Sequence, residues 1–156
     1  MGTRALTNIY DTPSKKLEDG SYKQGDLICT VYRQFDGYPE THGAELRDII
    51  RGHRIVNGIC PEDFDADKQS NGMGEFAIKM VSVLKNGHPI GNIYMSPVEG
   101  WHDKDFIDFE YHVEPTKDPM EFGTLTGPPF DCGVRLYCTD RFGQFVKMPK
   151  KEKVNE

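Results

Sequence analysis

Residues 27–50 have the sequence LICTVYRQFDGYPETHGAELRDII, and this stretch decides the fold class. Its first part, 27–35, alternates as a β-strand does, and both of its sides are partly apolar near the start. That pattern favours a strand inside a sheet over one at the edge. In the last part, Leu46, Ile49 and Ile50 have the i, i+3, i+4 spacing of one apolar helix face. The stretch therefore predicts a strand, a loop and a helix.

The ends of this helix are marked by local signals. Thr41 is a candidate N-cap, and Glu45 lies in the first turns, close to a capping-box arrangement. Gly52 or Gly58 ends the helical region, because glycine readily takes the left-handed conformation that stops a helix. A second helix follows, which has an apolar stripe and a stop at 86–87; the stripe consists of Phe76, Ala77, Met80, Val81 and Leu84.

Strand-like runs flank the two helices. Residues 5–10 precede them, and 15–26 form a polar segment with two glycines that is typical of an exposed hairpin loop. Four further runs follow the helices, at 90–95, 106–113, 134–139 and 144–148. Strands on both sides of a helix pair predict an α+β fold: a mostly antiparallel sheet of five to six strands with two helices packed on one face. We expect residues 1–148 to form a single domain and 149–156 to be a charged, flexible tail.

Composition excludes several classes of protein. The chain has 156 residues, with 19 basic and 25 acidic side chains and a net charge of −6, which argues against general binding of nucleic-acid backbones. No apolar run approaches the roughly 18 residues of a membrane span, and the first residues show no signal peptide. We therefore expect a cytoplasmic protein with no membrane association. Its four cysteines form no CxxC pair, so we expect reduced thiols and no zinc site.

The loop at 36–43 concentrates the chemistry. It places Asp36, Tyr38 and His42 before a helix N-terminus, where exposed N–H groups favour an anion. Tyr38 offers a flat ring for stacking, His42 can donate to a phosphate or act as an acid or base, and Gly43 permits close approach of a ligand. A purely structural interpretation remains open, in which Asp36-Gly37 makes a turn and His42 supports the helix start.

Two motifs carry a resemblance. The opening Met1-Gly2-Thr3-Arg4 and the pattern Y-x-x-x-DGYP-x-x-HG at Tyr32 to Gly43 resemble a family of small uncharacterised proteins common in phage genomes. The resemblance implies a phage origin, and hence the cytoplasm of a host cell; it implies no activity. It also implies that Arg4 and the DGYP loop belong together.

Residues outside the loop are also candidates for a site. A guanidinium at Arg4 can clamp a phosphate, and Trp101 can be either a stacking platform or a cover for the core. The strand face with Asp108, Glu110 and His112 can bind a divalent metal, but a solvated face is the interpretation we favour. The acidic segment 63–67 begins like a calcium loop and then lacks its glycine and glutamate. We expect no metal and no cofactor.

Three hypotheses about function follow. The first is a phage-type anti-defence protein that sequesters a nucleotide-derived host signal, with a small anionic or nucleotide-like ligand bound by Arg4, Arg33, Asp36, Tyr38, His42, Gly43 and Trp101. The second is a small hydrolase that uses His42 as acid or base, with Asp36 or Asp108 as its partner. The third is an acidic inhibitor that binds a host protein through its negative surface. A homo-oligomer is compatible with all three.

Overall fold

A computed structural model of the chain describes residues 2–56, 68–96, 106–117 and 131–148. These ranges contain two α-helices, α1 (Ala44–Ile50) and α2 (Gly72–Gly87), and a π-helical turn, Pro39–Gly43, that runs directly into α1. They also contain eleven strands: β1 (Ala5–Tyr10), β2 (Lys15–Lys16), β3 (Tyr22–Lys23), β4 (Leu27–Arg33), β5 (Arg54–Val56), β6 (Gln69–Asn71), β7 (Ile93–Met95), β8 (Phe109–Pro115), β9 (Asp131–Cys132), β10 (Val134–Asp140) and β11 (Phe145–Val146).

Six strands form the main sheet, in the order β11-β10-β8-β1-β4-β7. All of its pairs are antiparallel except β1 with β8, which run parallel with Asn8 opposite His112. The predicted α+β class and the mostly antiparallel sheet are confirmed. Strand β4 lies between β1 and β7, so its predicted interior position is also confirmed.

Both helices contribute to one apolar core on the sheet. Phe76, Met80 and Leu84 of α2 pack in the same cluster as Leu46 of α1 and Val113 of β8. Because these side chains repeat at helical spacing on α2, burying one face is what makes the segment a helix. The predicted stripe and its stop at Gly87 are therefore confirmed.

The start of α1 differs from the prediction. Thr41 is not an N-cap: its hydroxyl donates to the Asp36 and Tyr38 carbonyls, and no side chain caps either helical segment. The Tyr38 carbonyl instead accepts from three successive amides, those of residues 41–43. Pro39 begins the turn, since proline has a helical φ and needs no hydrogen-bond acceptor for its nitrogen. At the other end, Gly52 has a φ of 69°, as expected for a helix stop.

Two small sheets accompany the main one. β2 and β3 form the expected exposed hairpin. A three-stranded sheet in the order β6-β5-β9 was not expected from the sequence. Its strands have only two or three residues, which is too short for an alternating pattern to be visible.

Some sequence expectations fall outside the described residues. These are Trp101, the acidic segment at 63–67 and the tail at 149–156. Neither of the two helices described above has the length and apolar composition needed to cross a membrane.

Candidate functional site

The DGYP loop is fixed to the sheet by hydrogen bonds at the backbone of Gly37. The Gly37 amide donates to the Thr3 carbonyl at 2.9 Å, and the Tyr111 hydroxyl donates to the Gly37 carbonyl at 2.7 Å. Asp36, just before, has a left-handed φ of 58°, which turns the chain out of β4. These contacts place the N-terminal segment beside the loop, so Arg4 and Tyr38 lie at the same end of the sheet.

His42 lies inside the protein, not on its surface. Its side chain is fully buried, with Nε2 2.7 Å from Thr7 Oγ1 and Nδ1 3.0 Å from Arg33 Nη1. A guanidinium can only donate, so Nδ1 must accept and Nε2 must carry the hydrogen that is donated to Thr7. Burial, with smaller contributions from Arg33 and His88, lowers the pKa of His42 to about 3. The ring is therefore neutral at physiological pH.

Arg33 is also buried, at 2% exposure. Besides His42, it donates through Nε to the Phe35 carbonyl at 2.8 Å and through Nη1 to Glu45 Oε2 at 2.8 Å. Glu45 in turn lies 3.5 Å from His88 Nε2. A polar chain therefore runs from the sheet through the core to α1, and we call the group of Thr7, Arg33, His42 and Glu45 the core network.

The predicted site residues consequently separate into two groups. Arg33, His42 and Gly43 are buried behind the loop, where a ligand outside does not reach them. A Cβ at Gly43 would lie 2.5 Å from Met148 Cε, the end of a flexible side chain that can shift, and 3.3 Å from Tyr111 Cε1. Asp36 and Tyr38 are exposed, and Arg4 is partly exposed. His42 contacts Thr7 and Arg33 rather than Asp36 or Asp108, so the acid–base pairs of the hydrolase hypothesis are not assembled.

Tyr38, unlike Asp36 and Arg4, lines a pocket of about 420 Å³ at the end of the sheet. We call it the Tyr38 pocket; its principal lining residues are Tyr38, Asp108, Phe109, Asp140, Arg141 and Phe142. The sequence predicted Tyr38 as a candidate ligand contact but did not single out Phe109 or the three residues at 140–142, which line the same pocket. The available signal was the run of an arginine, a phenylalanine and a glycine at 141–143, in a turn between two strands, where the phenylalanine side chain remains exposed.

A tight turn holds the Phe142 side of the pocket. Asp140 Oδ1 accepts from the Phe142 amide at 2.9 Å and the Gln144 amide at 3.0 Å. Gly143 has a φ of 78°, which this turn requires. On the other side, Asp108 Oδ2 accepts from the Arg4 amide at 3.1 Å. Each carboxylate thus uses one oxygen to fix the backbone, and both residues line the pocket.

Arginines accompany exposed aromatic rings at this end of the sheet. Arg141 Cζ lies 5.5 Å from the centroid of the Phe142 ring, and Arg4 Cζ lies 6.0 Å from that of Phe106. Such cation–π contacts hold each guanidinium near a ring while its N–H groups remain accessible. Arg4 therefore lies next to the pocket, beside Thr3, which lines it.

The prediction that the polar face of β8 is solvated is wrong at His112. His112 was predicted on a solvated face, but it is only 3% exposed. Its ring is stacked between those of Tyr10 and Tyr137, at centroid distances of 6.0 and 4.6 Å. Burial raises the pKa of the Tyr10 hydroxyl, which therefore stays protonated beside His112 Nδ1 at 2.9 Å. This face is a packed polar layer rather than a wet surface.

Within the described ranges, no three His, Cys, Asp or Glu side chains are grouped so that they could hold a metal ion. Comparison of the chain with known proteins finds no matching family model, curated protein or solved structure.

Gly37 offers a test of how the loop is attached. We expect Gly37→Ala to lower the free energy of unfolding by about 1–3 kcal/mol, because its Cβ would lie 2.7 Å from Ala5 Cβ and 3.0 Å from the Thr3 carbonyl oxygen. Gly74→Ala in α2, where nothing lies within 4 Å, should instead leave stability unchanged or raise it by up to about 1 kcal/mol. Urea unfolding measures both, and equal effects would show that the loop does not pack tightly on β1.

Proposed function

We propose that the protein binds a nucleotide-like ligand in the Tyr38 pocket and does not turn it over. The observation that carries the proposal is the pairing of two exposed rings with polar groups in one concavity. Tyr38 is 47% exposed and Phe142 is 76% exposed, and both line a pocket that also contains two carboxylates and an arginine. Large exposed rings at a concave site are unfavourable in water unless a ligand covers them.

The rings and carboxylates suit a nucleobase. Stacking of a base on an aromatic side chain contributes about 1–3 kcal/mol to binding, whichever base it is. Asp108 and Asp140 line the pocket, and a carboxylate accepts the hydrogen bonds that amino and ring N–H groups of nucleobases donate. Together these groups recognise the face and the edge of a base.

The arginines suit a phosphate. Arg141 lines the pocket and Arg4 lies beside it, and a guanidinium binds phosphate oxygens through two parallel N–H groups. The chain as a whole carries a net charge of −6. Binding of phosphate here therefore depends on local arginines and not on a general positive surface, which favours a small ligand over a nucleic acid.

The resemblance to phage proteins indicates a role for such binding. A protein that binds a nucleotide without hydrolysing it removes that nucleotide from solution, and this is how a host defence signal would be sequestered. Retention without turnover agrees with the interior position of His42, whose two ring nitrogens are both engaged.

Thermal denaturation with a panel of nucleoside monophosphates, cyclic nucleotides and the matching nucleosides tests the proposal. A ligand that binds the native state raises Tm, and we expect nucleotides to do so more than nucleosides because only nucleotides reach the arginines. Tyr38→Ala should lower the affinity for the nucleotide that raises Tm most by at least fivefold, as expected for the loss of one stacking contact. Tyr22→Ala removes a ring that is 64% exposed in the hairpin and should leave affinity unchanged. No rise in Tm with any compound, or equal losses in the two variants, would refute the proposal.

A further inference from the structure

A groove between α1 and α2 is separate from the Tyr38 pocket and shares no lining residue with it. Its volume is about 630 Å³, within the range of sites that hold small organic molecules. One wall is apolar and consists of Ile49, Phe76, Val83 and Leu84. Val83 is 54% exposed, so part of this wall faces solvent. The groove can therefore cover an apolar body of moderate size.

The carboxylates at the groove are already neutralised by arginines. Glu45 pairs with the buried Arg33 at 2.8 Å, and Asp48 pairs with Arg51 at 3.2 Å. Since each negative charge has its own guanidinium, neither carboxylate is a strong attractant for an incoming cation. The core network thus places a buried guanidinium behind one groove wall.

Among the basic lining residues, Lys79 pairs with Glu75 at 3.1 Å and His88 lies 3.5 Å from Glu45, whereas Lys68 is differently placed. Lys68 Nζ donates to the Asp48 carbonyl at 3.3 Å, and no carboxylate of the described residues lies within ion-pair distance of it. His53 lies nearby, with Nε2 2.7 Å from Ser70 Oγ and its ring edge-on to Phe76 at 4.7 Å. An ammonium next to a fixed imidazole and an apolar wall is suited to an anion attached to an apolar body.

We propose that this groove is a second binding site, which takes a small organic anion: an apolar body against Phe76, Val83 and Leu84, with its anionic group at Lys68. The proposal does not depend on nucleotide binding in the Tyr38 pocket. Carboxylates and phosphate monoesters share this chemistry, and the test distinguishes them.

Three probes of similar shape distinguish the contribution of the anionic group to binding from that of the apolar body. They are 4-phenylbutyrate, its neutral amide and 3-phenylpropyl phosphate. In a ¹H–¹⁵N NMR titration of the full chain, we expect shifts at groove amides with at least one anion and at least fivefold weaker binding of the amide. Lys68→Gln should lower the affinity for the anion severalfold and leave the affinity for the amide unchanged. If the amide binds as tightly as both anions, or if no probe shifts the groove amides, the proposal fails.

A matched pair of variants on α2 tests the location. Val83→Glu adds a negative charge inside the groove and should lower the affinity for the anion more than tenfold. Ile78→Glu adds the same charge to the same helix at a residue that is 74% exposed and lines no part of the groove. We expect Ile78→Glu to bind as the wild type does. Equal binding by the two variants would place the ligand elsewhere and overturn the assignment.

Discussion

Replacing Arg33 by methionine should lower the free energy of unfolding by about 3–5 kcal/mol, the cost typical of breaking a buried charged network. Methionine fills the space of the aliphatic stem but donates no hydrogen bond. Three acceptors then lose their donor: His42 Nδ1, the Phe35 carbonyl and Glu45 Oε2. His42 is fully buried, so water does not replace the lost bond.

Arg51→Met is the matched control. Arg51 also pairs with a carboxylate of α1, Asp48, but their side chains are 49% and 71% exposed. An exposed pair of this kind contributes between 0 and about 1 kcal/mol, so this variant should unfold close to the wild-type urea concentration. If Arg33→Met and Arg51→Met were equally stable, the core network would contribute nothing beyond a surface ion pair.

Helix α2 was predictable because it buries a repeating face against the core, with five buried residues at helical spacing. Strand β4 was predicted from its β-rich run, but its burial rises from the exposed Leu27 to the buried Arg33 and does not alternate. The three-stranded sheet around β5 has no such pattern. It joins Ile55 to Ser70 and to Cys132, and such long-range register is set by the tertiary fold, not by local sequence.

The candidate site was only partly predictable for a related reason. The loop at 36–43 was identified because aromatic, charged and imidazole groups are concentrated in it. Whether such a group faces a ligand or the core depends on what packs over it, and here α1 and β1 enclose His42 and Arg33. Tyr38 and Phe142 are more than 100 residues apart, and they line one pocket because β10 pairs with β8, which lies next to β1. Spacing in one sequence does not reveal that arrangement.

Acid should destabilise the protein through His42. The folded state holds its pKa at about 3, against an ordinary value of 6.5 that applies once the chain unfolds. Below pH 6.5 the unfolded chain therefore binds a proton that the folded protein does not, and the free energy of unfolding falls with pH until pH 3 is reached. The full contribution is present above pH 6.5. Between pH 7 and pH 4.5 this one residue should remove about 2.5 kcal/mol.

His42→Gln separates this effect from that of every other titrating group. The variant is less stable than the wild type at pH 7, but its stability should fall by about 2.5 kcal/mol less on going to pH 4.5, because no imidazole remains at this position to be protonated on unfolding. Imidazole ¹⁵N shifts provide a direct check, since a neutral His42 with its hydrogen on Nε2 should persist in the folded protein at pH 4.5. Because Arg33 holds Nδ1 as an acceptor, protonation would place two donors against each other at 3.0 Å. Parallel pH profiles for wild type and variant would mean that His42 is protonated in the folded state, and hence that the Arg33–His42 hydrogen bond does not form in solution.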